Sequence, residues 1–493
     1  MKRQKTRLWC DIAFGLALLL KIFSSGNSYF PILDDYVQYG SYPLFNLDYV
    51  YLHIGTICAR PLASLLDPVL WGAFWKHMEV ALLLISLIYF FSCCLLDRLL
   101  AKEGVHITPF LYTICLLLPL TFEGTYWISA SSRIVMGFFF AVLASYTLQK
   151  SLRRSGYQLL PLYALLCLLS FGFYESVMIF SGLLQLFVLV KYVWENRVFK
   201  KLWVLLIPAF AAGALLIYYK LASNLGVLAS RATGFSLANL GNRFMQLFSQ
   251  LGTIFSAGLF RTTITGFIDG IHLMLSQPAW GIRVAFMILI VSATCAIVCR
   301  KYVPYAKASV CVPLGLCLFL LPLLPNVLVP DVWLTYRSIA ICIPGLCIAL
   351  APLLAKLFKK SVWRTAAIFM AVLLFSVGCV NEVQTYKNVN KLDNMLLDNV
   401  IPHLDSEVLS GKKNTILVLP HEIVAAQSSY YKDHVKSVFY SDWSLTGAVR
   451  AKTKNNAIKN ITPVYTLDGL DKEGKLVLYM DTSYHVTEGQ NES

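Results

Sequence analysis

The sequence contains few charged residues: 14% of its 493 positions are Asp, Glu, Lys or Arg, whereas 57% are hydrophobic. Roughly a quarter of the residues in an ordinary soluble domain are charged. The mean hydropathy of +0.63 points the same way. This shortage argues against an ordinary soluble globular protein and predicts one that lies in a membrane.

Acidic residues are especially scarce, with 27 Asp and Glu against 42 Lys and Arg and a formal net charge of +15. Lys and Arg collect in alternate loops between the apolar runs, at 98–102, 150–154, 191–201, 300–307 and 356–364. Loops on the cytoplasmic side of a membrane carry such an excess. The pattern therefore predicts a cytoplasmic N-terminus and an external C-terminus, and it argues against a nucleic-acid partner.

Cysteine is missing from the C-terminal tail, and the thirteen cysteines lie almost all within apolar runs. Cys58 is the exception, in a loop predicted to lie outside. The histidines show no metal-ligand spacing. We therefore predict neither a disulfide framework nor a zinc site, and we interpret the cysteines as small packing residues.

Long apolar runs are abundant, and many approach the roughly 20 residues that a helix needs to cross a bilayer. The first follows Lys2, Arg3, Lys5 and Arg7 but lacks a convincing cleavage site, so we predict a retained helix rather than a signal peptide. In all we predict eleven transmembrane helices, at about 10–25, 78–97, 106–121, 134–149, 157–173, 176–193, 202–220, 281–299, 308–325, 337–355 and 363–381.

Two domains follow from this pattern. Residues 1–383 form a transmembrane domain with a first outer loop at 26–77 and a large outer loop at 221–280. Residues 384–493 are predicted to form a small extracytoplasmic α/β domain. Its strand candidates are NTILVLP, SVFY, PVYTL and KLVLYM, and WSLTGAVRAKT is a helix candidate. In the first outer loop, Asp67 and Pro68 predict the start of a helix that runs into the second span.

Ionisable residues gather at the span ends that are predicted to face outward, whereas the inner ends look almost purely basic. Such groups are costly near lipid, so their presence needs a reason. The acids Asp34 and Asp35 follow the first span in LDDYVQYG. The other members of this set are Arg60 in ARPL, Glu123 and Arg133 in the stretch TFEGTYWISASSR, Glu175 in FGFYES, and Arg337 in DVWLTYRS.

This combination suits group transfer from a phosphate carrier to a hydroxyl. Two adjacent carboxylates in a partly dry site repel each other, so one holds its proton more tightly. A carboxylate tuned in this way can accept the proton of an attacking hydroxyl. Arginines bind phosphate through paired hydrogen bonds and stabilise the charge that develops on a leaving phosphate.

Each residue taken singly has a simpler interpretation. An adjacent pair of acids in a loop is usually a solvated turn or a helix cap, and an Arg at a helix end is usually a headgroup anchor. Arg60 is equally well explained as a partner of Asp67. Glu123 and Glu175 can be explained simply as partners of the arginines. The functional hypothesis therefore depends on the joint placement of these residues.

The arrangement resembles the GT-C superfamily of membrane glycosyltransferases. In that superfamily an acidic catalytic motif lies in the first outer loop, a bundle of about eight to fourteen spans follows, and a soluble external C-terminal domain is frequent. The segments LDDYVQYG, ARPLASLL, EGTYWISASSR and FYES are similar to bacterial polyprenyl-phosphate-dependent glucosyltransferases of surface glycans. The resemblance covers about residues 1–380.

The resemblance implies a reaction and roles for the residues. The donor is a sugar on a polyprenyl phosphate, and the acceptor is a hydroxyl of a surface glycan or of a lipid-linked glycan. Asp34 is the expected general base, with Asp35 positioning or substituting, and the configuration at the anomeric carbon inverts. Arg337, Arg133 and Arg60, in that order, are expected to bind the donor phosphate, supported by Glu123 and Glu175.

The resemblance also implies a setting. It places the chain in a bacterial plasma membrane as a multi-pass protein, in contact with membrane lipids. A separate synthase would load the carrier and a flippase would invert it. Since Asp-Asp stands here where some members have Asp-Glu or a spaced acidic pair, the use of a divalent metal stays open.

Two other classes of function remain as alternatives. One is a flippase or transporter of lipid-linked oligosaccharides, although such carriers need polar residues at mid-membrane depth. The other is a glycan polymerase or ligase that uses the loop at 221–280, with Arg243 and Arg261 as diphosphate binders. A scaffold without catalytic activity is the remaining interpretation.

Overall fold

The computed structural model describes residues 2–24, 26, 28–40, 60–153, 157–224, 239–328, 332–420 and 435–489. The predicted outer loop at 26–77 is thus described only in part, and Cys58 lies outside the described residues. The loop at 221–280 is described from 239 onward, apart from the four residues at 221–224 that end a helix.

The described chain is mostly helical. Within lipid, a helix satisfies its backbone hydrogen bonds internally, which is why long apolar runs fold in this way. The α-helices are α1 Lys2–Phe23, α2 Pro61–Leu66, α3 Met78–Lys102, α4 Thr108–Leu117, α5 Phe122–Tyr126, α6 Ile128–Arg153, α7 Leu160–Phe171, α8 Glu175–Asn196, α9 Leu206–Asn224, α10 Leu240–Thr253, α11 Gly266–Ser276, α12 Pro278–Cys299, α13 Ala308–Leu320, α14 Leu324–Leu328, α15 Tyr336–Ala340, α16 Ile343–Leu357, α17 Ser361–Val400, α18 Ser406–Leu409 and α19 Asp442–Thr453.

Among the described residues, eight helical segments are long and apolar enough to cross a membrane: Pro61–Lys102, Ile128–Arg153, Glu175–Asn196, Phe199–Leu221, Leu240–Ser276, Pro278–Cys299, Ala308–Leu328 and Ser361–His403. Three shorter apolar helices lie at the predicted spans 106–121, 157–173 and 337–355, namely Thr108–Leu117, Tyr157–Phe171 and Ile343–Leu357. The chain is therefore a polytopic helical protein, while the count of eleven spans stays a prediction.

One of the eight segments lies where the sequence predicted a loop. Leu240–Ser276 is helical throughout, with two π-helical turns at Ile254–Gly258 and Arg261–Thr265. Its charged residues Arg243, Arg261 and Asp269 interrupt the apolar pattern, so the segment has the lowest hydropathy of the eight, 1.2. Most of the predicted large outer loop at 221–280 is therefore helical and apolar enough to cross a membrane, and its location outside stays a prediction.

The predicted start of the helix that leads into the second span is wrong. Helical structure begins at Pro61 rather than at Asp67, and it continues through a π-helical turn at Asp67–Trp71 and a 3-10 stretch at Gly72–His77 into α3. The Asp67 side chain accepts a hydrogen bond from the Tyr39 hydroxyl at 3.2 Å and caps no helix. The proline rule located a helical segment correctly but missed the turn before it.

The contacts divide the chain into two compact units. The first comprises Met1–Asn27, Leu52–Ser64 and Leu82–Glu382, and the second comprises Ser28–Tyr51, Leu65–Ala81 and Val383–Ser493. The sequence assigned all of residues 1–383 to one domain. In the structure, both the segment that carries Asp34 and the segment 65–81 belong with the C-terminal residues.

In the first unit, helices approach each other closely where glycine removes a side chain. A Cβ atom on Gly315 of α13 would lie 2.2 Å from the backbone nitrogen of Ala349 in α16. Only glycine permits such a contact without displacing a helix, and small residues commonly mark tight helix pairs in membranes. The twelve cysteines of the described residues are free, and all but Cys317 are buried, as packing residues are.

The second unit contains a four-stranded sheet of strand order β2-β1-β3-β4. The strands are β1 Asn414–Val418, β2 Ile461–Val464, β3 Lys475–Met480 and β4 Val486–Glu488. Strand β1 pairs in parallel with both β2 and β3, and β3 pairs antiparallel with β4. Helix α19 connects β1 and β2 along the chain, as a parallel pair requires.

Two of the four strand candidates match strands, NTILVLP at β1 and KLVLYM at β3, and the helix candidate matches α19. PVYTL overlaps only the end of β2. SVFY is wrong as a strand, because Val438–Tyr440 forms a 3-10 turn in which the Ser437 hydroxyl accepts a hydrogen bond from the Phe439 N–H. Strand β4 is only three residues long and left no recognisable pattern.

The core of the second unit includes the segment after the first helix. Tyr36 is buried in the same hydrophobic cluster as Leu397, Leu445 and Leu478, and its ring meets Trp75 edge-on at 5.6 Å. The following turn, Tyr36–Gly40, packs along α19. The acidic motif is therefore held by residues from the far end of the chain.

Asp393 of α17 should be important for the stability of the second unit. Its buried carboxylate accepts hydrogen bonds from the Ser437 hydroxyl and from the Val438 N–H. Asp393→Ala leaves both donors without this acceptor, and an unsatisfied buried group costs about 1–3 kcal/mol. We expect a lower thermal midpoint for this variant and faster proteolysis of the C-terminal residues.

The matched control is Asp398→Ala on the same helix. Asp398 pairs with Lys452 at 2.9 Å, but its side chain is mostly exposed. Exposed ion pairs contribute about 0–1 kcal/mol. If the two variants lose equal stability, the carboxylate of Asp393 does not have the role assigned to it.

Candidate functional site

The two acids of the motif have different surroundings. Asp35 is fully buried, and its Oδ2 accepts hydrogen bonds from the Tyr29 hydroxyl at 2.6 Å and from the Ile32 N–H at 3.2 Å. Asp34 is only half-buried. Asp35 thus stabilises the turn that leads into the motif, and Asp34 is the more accessible of the two acids.

The backbone of this turn is strained. Leu33, directly before the two acids, has a φ of 40°, in the left-handed region that non-glycine residues seldom adopt. The Asp35 N–H donates to the Ile32 carbonyl at 3.0 Å and closes the turn. Strain of this kind persists only where surrounding contacts maintain it, and it is frequent at functional sites.

Tyr36 anchors the motif on its buried side. Its hydroxyl accepts a hydrogen bond from the Asn390 amide at 3.0 Å, and the same amide donates to the Pro31 carbonyl at 2.7 Å. Burial raises the pKa of the Tyr36 phenol, and the carboxylates of Asp393 and Asp35 raise it further. Tyr36 therefore stays neutral and acts as an anchor rather than as a base.

In the first unit, the ARPL turn contacts the FYES hairpin. This contact agrees with the prediction that Arg60 and Glu175 lie on the same face. The Arg60 Nε lies 3.4 Å from the Glu175 carboxylate, and its guanidinium lies over the Tyr174 ring at 4.2 Å. The Leu62 N–H donates to the Gly172 carbonyl at 3.2 Å. Both charged side chains are partly exposed, so the pair fixes geometry more than it adds stability.

A second contact in this unit brings Glu123 and Arg337 onto neighbouring helices. Helix α5, which carries the buried Glu123, packs on α15, which carries Arg337. A Cβ atom on Gly124 would lie 2.6 Å from the Ala340 Cβ and 3.2 Å from the Arg337 carbonyl oxygen. The Arg337 guanidinium lies 5.8 Å from the centre of the Trp127 ring.

Arg133 is buried in the second turn of α6. Gly137 lies one turn further along, and a Cβ atom there would lie 3.1 Å from side-chain atoms of Phe173 and Val177. Residues four apart share a helix face. The beginning of α6 therefore lies beside the hairpin that contains Glu175, and the five predicted residues of the first unit occupy neighbouring elements.

Sequence reasoning missed Lys21, in the last turn of α1. Its side chain is fully buried, with Nζ donating to the Leu116 carbonyl at 2.8 Å and to the Thr125 hydroxyl at 3.4 Å. Nζ also lies 5.4 Å from the centre of the Phe122 ring. Lys21 therefore stabilises the end of α4 and the start of the segment that carries Glu123. A lysine inside the apolar stretch LALLLKIF was the signal that would have identified it.

Acidic residues also lie at the span ends that are predicted to face the cytoplasm, so the description of those ends as almost purely basic is wrong. Buried Asp97 pairs with Arg7 at 2.8 Å, and Glu103 pairs with Lys191 at 2.8 Å and with Arg153 at 3.1 Å. These acids are matched by bases and pin helix ends together. A structural role therefore explains these ionisable residues, and no catalytic role is needed for them.

Arg243, the residue that the polymerase alternative depends on, is buried, and its guanidinium donates to the Val327 carbonyl at 3.4 Å. A structural role thus accounts for it. Among the described residues, no three His, Cys, Asp or Glu side chains are grouped so that they could hold a metal ion. Comparison with protein-family models and with curated proteins finds no match for this chain.

Proposed function

We propose that the protein transfers a sugar from a polyprenyl-phosphate donor to a hydroxyl of a cell-envelope glycan or of a lipid-linked acceptor. The observation that carries this proposal is the difference between the two acids of the motif. Asp35 is fully buried and accepts hydrogen bonds from the Tyr29 hydroxyl and the Ile32 N–H, whereas the side chain of Asp34 is only half-buried. Adjacent carboxylates in unlike surroundings are suited to unlike roles in acid–base chemistry.

In the proposed reaction Asp34 accepts the proton of the acceptor hydroxyl while the hydroxyl oxygen attacks the anomeric carbon of the donor sugar. The bond between that carbon and the phosphate oxygen breaks, and the electron pair leaves with the polyprenyl phosphate. One displacement inverts the anomeric configuration. Asp34 thereby becomes a neutral acid and releases its proton to water after the product leaves.

Three arginines are proposed to bind the donor phosphate, with Arg337 first, then Arg133 and Arg60. The elements that carry Arg133 and Arg60 both contact the Phe173–Glu175 hairpin. A guanidinium stabilises the second negative charge that the phosphate gains as the sugar leaves. Glu123 and Glu175 are proposed to orient these arginines. No divalent metal is assigned a role in the proposed reaction.

The membrane spans support this donor, because a polyprenyl chain dissolves in the bilayer and brings the phosphate to its surface. The proposal locates the protein in a bacterial plasma membrane, with a carrier-loading synthase and a flippase as its functional partners. The polymerase alternative loses support, since Arg243 is engaged by a backbone carbonyl. No contact in the described residues favours a transporter.

The experiment uses purified protein in lipid nanodiscs with a panel of radiolabelled sugars on polyprenyl phosphate and an acceptor glycan from the source organism. We expect transfer from one of these donors, none from the matching nucleotide sugars, and an inverted anomeric linkage by NMR. Equal transfer from nucleotide sugars, a retained configuration, or no transfer from any donor of the panel would contradict the proposal.

A further inference from the structure

Three aromatic side chains of the second unit are exposed, although residues of this size are commonly buried. Tyr440 is 53% exposed, and Trp443 and Tyr465 are each 46% exposed. The ammonium group of half-buried Lys436 lies 4.2 Å from the centre of the Tyr440 ring. We name these four residues the aromatic surface.

Tyr440 lies near two other members of the aromatic surface, Lys436 and Tyr465. Tyr440 ends a 3-10 turn, and Trp443 lies three residues later in the first turn of α19. Tyr465 directly follows β2, and its pKa is raised by partial burial and by the neighbouring Tyr440 phenol. A ligand on the Tyr440 ring can therefore also reach Tyr465.

The backbone under the aromatic surface is rigidly held. The Val438 N–H donates to the Asp393 carboxylate at 3.2 Å, and the Tyr440 N–H donates to the Ser437 carbonyl at 3.1 Å. The buried Ser444 hydroxyl donates to the Val438 carbonyl at 2.7 Å. A fixed array of rings loses little entropy when it binds a ligand.

The aromatic surface lies next to the acidic motif within the same unit. Gly447 of α19 faces Val37, and Ala451 faces Gly40, so the helix and the motif run in the same direction. Trp443 is one helical turn before Gly447, which is about 6 Å along the axis. We infer from this spacing that Trp443 lies towards the Asp34 end of the motif.

Exposed rings beside a candidate base indicate what kind of ligand they bind. A pyranose ring has an apolar C–H face that packs flat on an aromatic ring, and its edge carries hydroxyls. Phenol and ammonium groups, such as those of Tyr440, Tyr465 and Lys436, can hydrogen-bond those hydroxyls, and Tyr and Trp combine an apolar body with a polar group for this purpose. A purely apolar partner would remove water from the exposed Tyr440 phenol without offering it a hydrogen bond.

We propose that the aromatic surface binds the acceptor glycan, with a sugar ring stacked on Trp443 so that its accepting hydroxyl reaches Asp34. This inference rests on the proposed function, because the acceptor glycan is bound by α19 with its hydroxyl directed at Asp34, the proposed base. It gives the C-terminal unit the role of acceptor recognition. The membrane surface is the rival occupant of such a patch, since Trp and Tyr are also frequent at lipid interfaces.

The test uses the full-length protein in nanodiscs and two separate measurements. The first is equilibrium binding of lipid-free surface polysaccharide from the source organism to wild type, Trp443→Ala and Tyr440→Ala. The matched control is Tyr479→Ala, which removes a 39% exposed ring from β3 in the same unit. We expect about tenfold weaker binding for the first two variants, equivalent to about 1.4 kcal/mol, and no change for the control.

The second measurement is sugar transfer at varied acceptor and donor concentrations. Loss of the aromatic surface should raise the KM for acceptor about tenfold and leave kcat and the KM for donor within about twofold. A general structural defect would lower kcat instead. Wild type that binds polysaccharide but transfers no sugar would contradict the proposed reaction while supporting glycan recognition by this surface.

Three results would overturn the inference. One is wild type that transfers sugar while Trp443→Ala and Tyr440→Ala keep normal acceptor binding and KM. Another is an equal loss in Tyr479→Ala. The third is quenching of Trp443 fluorescence by brominated lipid chains, measured as the difference between wild type and Trp443→Phe, because it would place the ring in the membrane surface.

Discussion

Asp34→Asn should reduce sugar transfer by about 10²- to 10⁴-fold, the usual contribution of a general base. Asparagine has the size and hydrogen-bonding oxygen of aspartate but cannot accept the hydroxyl proton. Asp34 is half-buried and Asp35 supports the turn, so folding of this variant should be unaffected. The measurement is kcat with saturating donor and acceptor, on protein matched for expression and thermal midpoint.

The neighbouring acid provides the control. Asp35→Asn retains an oxygen that can accept from the Tyr29 hydroxyl and the Ile32 N–H, so it should keep activity within about tenfold of wild type. Asp35→Ala removes that oxygen and should lower the thermal midpoint, because two buried donors lose their acceptor. A dead but stable Asp35→Asn beside an active Asp34→Asn would reverse the assigned roles.

Gly124→Ala should lower kcat/KM for the donor by about 10- to 100-fold. The added methyl would lie 2.6 Å from the Ala340 Cβ, so α5 and α15, which carry Glu123 and Arg337, must separate. Overpacking of this kind costs about 1–3 kcal/mol. If this free energy is lost from donor binding in the transition state, kcat/KM for the donor falls by about 10- to 100-fold.

Gly182→Ala is the matched control, because no heavy atom lies within 4 Å of the Cβ that it adds in α8. It should be fully active and slightly more stable, since alanine favours a helix by about 1 kcal/mol over glycine. The double variant Gly124→Ala/Ala340→Gly removes the closest contact and should recover part of the lost activity. If Gly124→Ala alone is fully active, the close contact between α5 and α15 is not needed for function.

The features that could be predicted from the sequence are local ones. Apolar runs indicated most of the helices, and the short FGFYES connection placed Glu175 at a hairpin between α7 and α8. The prediction that Arg60 and Glu175 share a face followed from counting spans, and the 3.4 Å contact agrees with it. Their relation to the reaction stays a prediction.

The features that could not be predicted depend on distant contacts. Nothing near LDDYVQYG indicates that Tyr36 packs with Leu397 and Leu445, because hydrophobic periodicity identifies a buried face without identifying its partner. SVFY resembled a strand by composition, but the Asp393 carboxylate holds its backbone in a turn. Leu240–Ser276 escaped notice because Arg243, Arg261 and Asp269 dilute its hydropathy.

The packing of Tyr36 has a consequence for how the protein is made. The ribosome delivers the motif residues among the first forty, yet most of the residues that enclose Tyr36, apart from Trp75, emerge only after position 390. Contacts so far apart in sequence form late and slowly. The acidic motif therefore cannot acquire its final geometry on a nascent chain, and a product that terminates early would contain the motif without the residues that hold it. Synthesis of the last hundred residues therefore completes the packing of a motif that lies near the N-terminus.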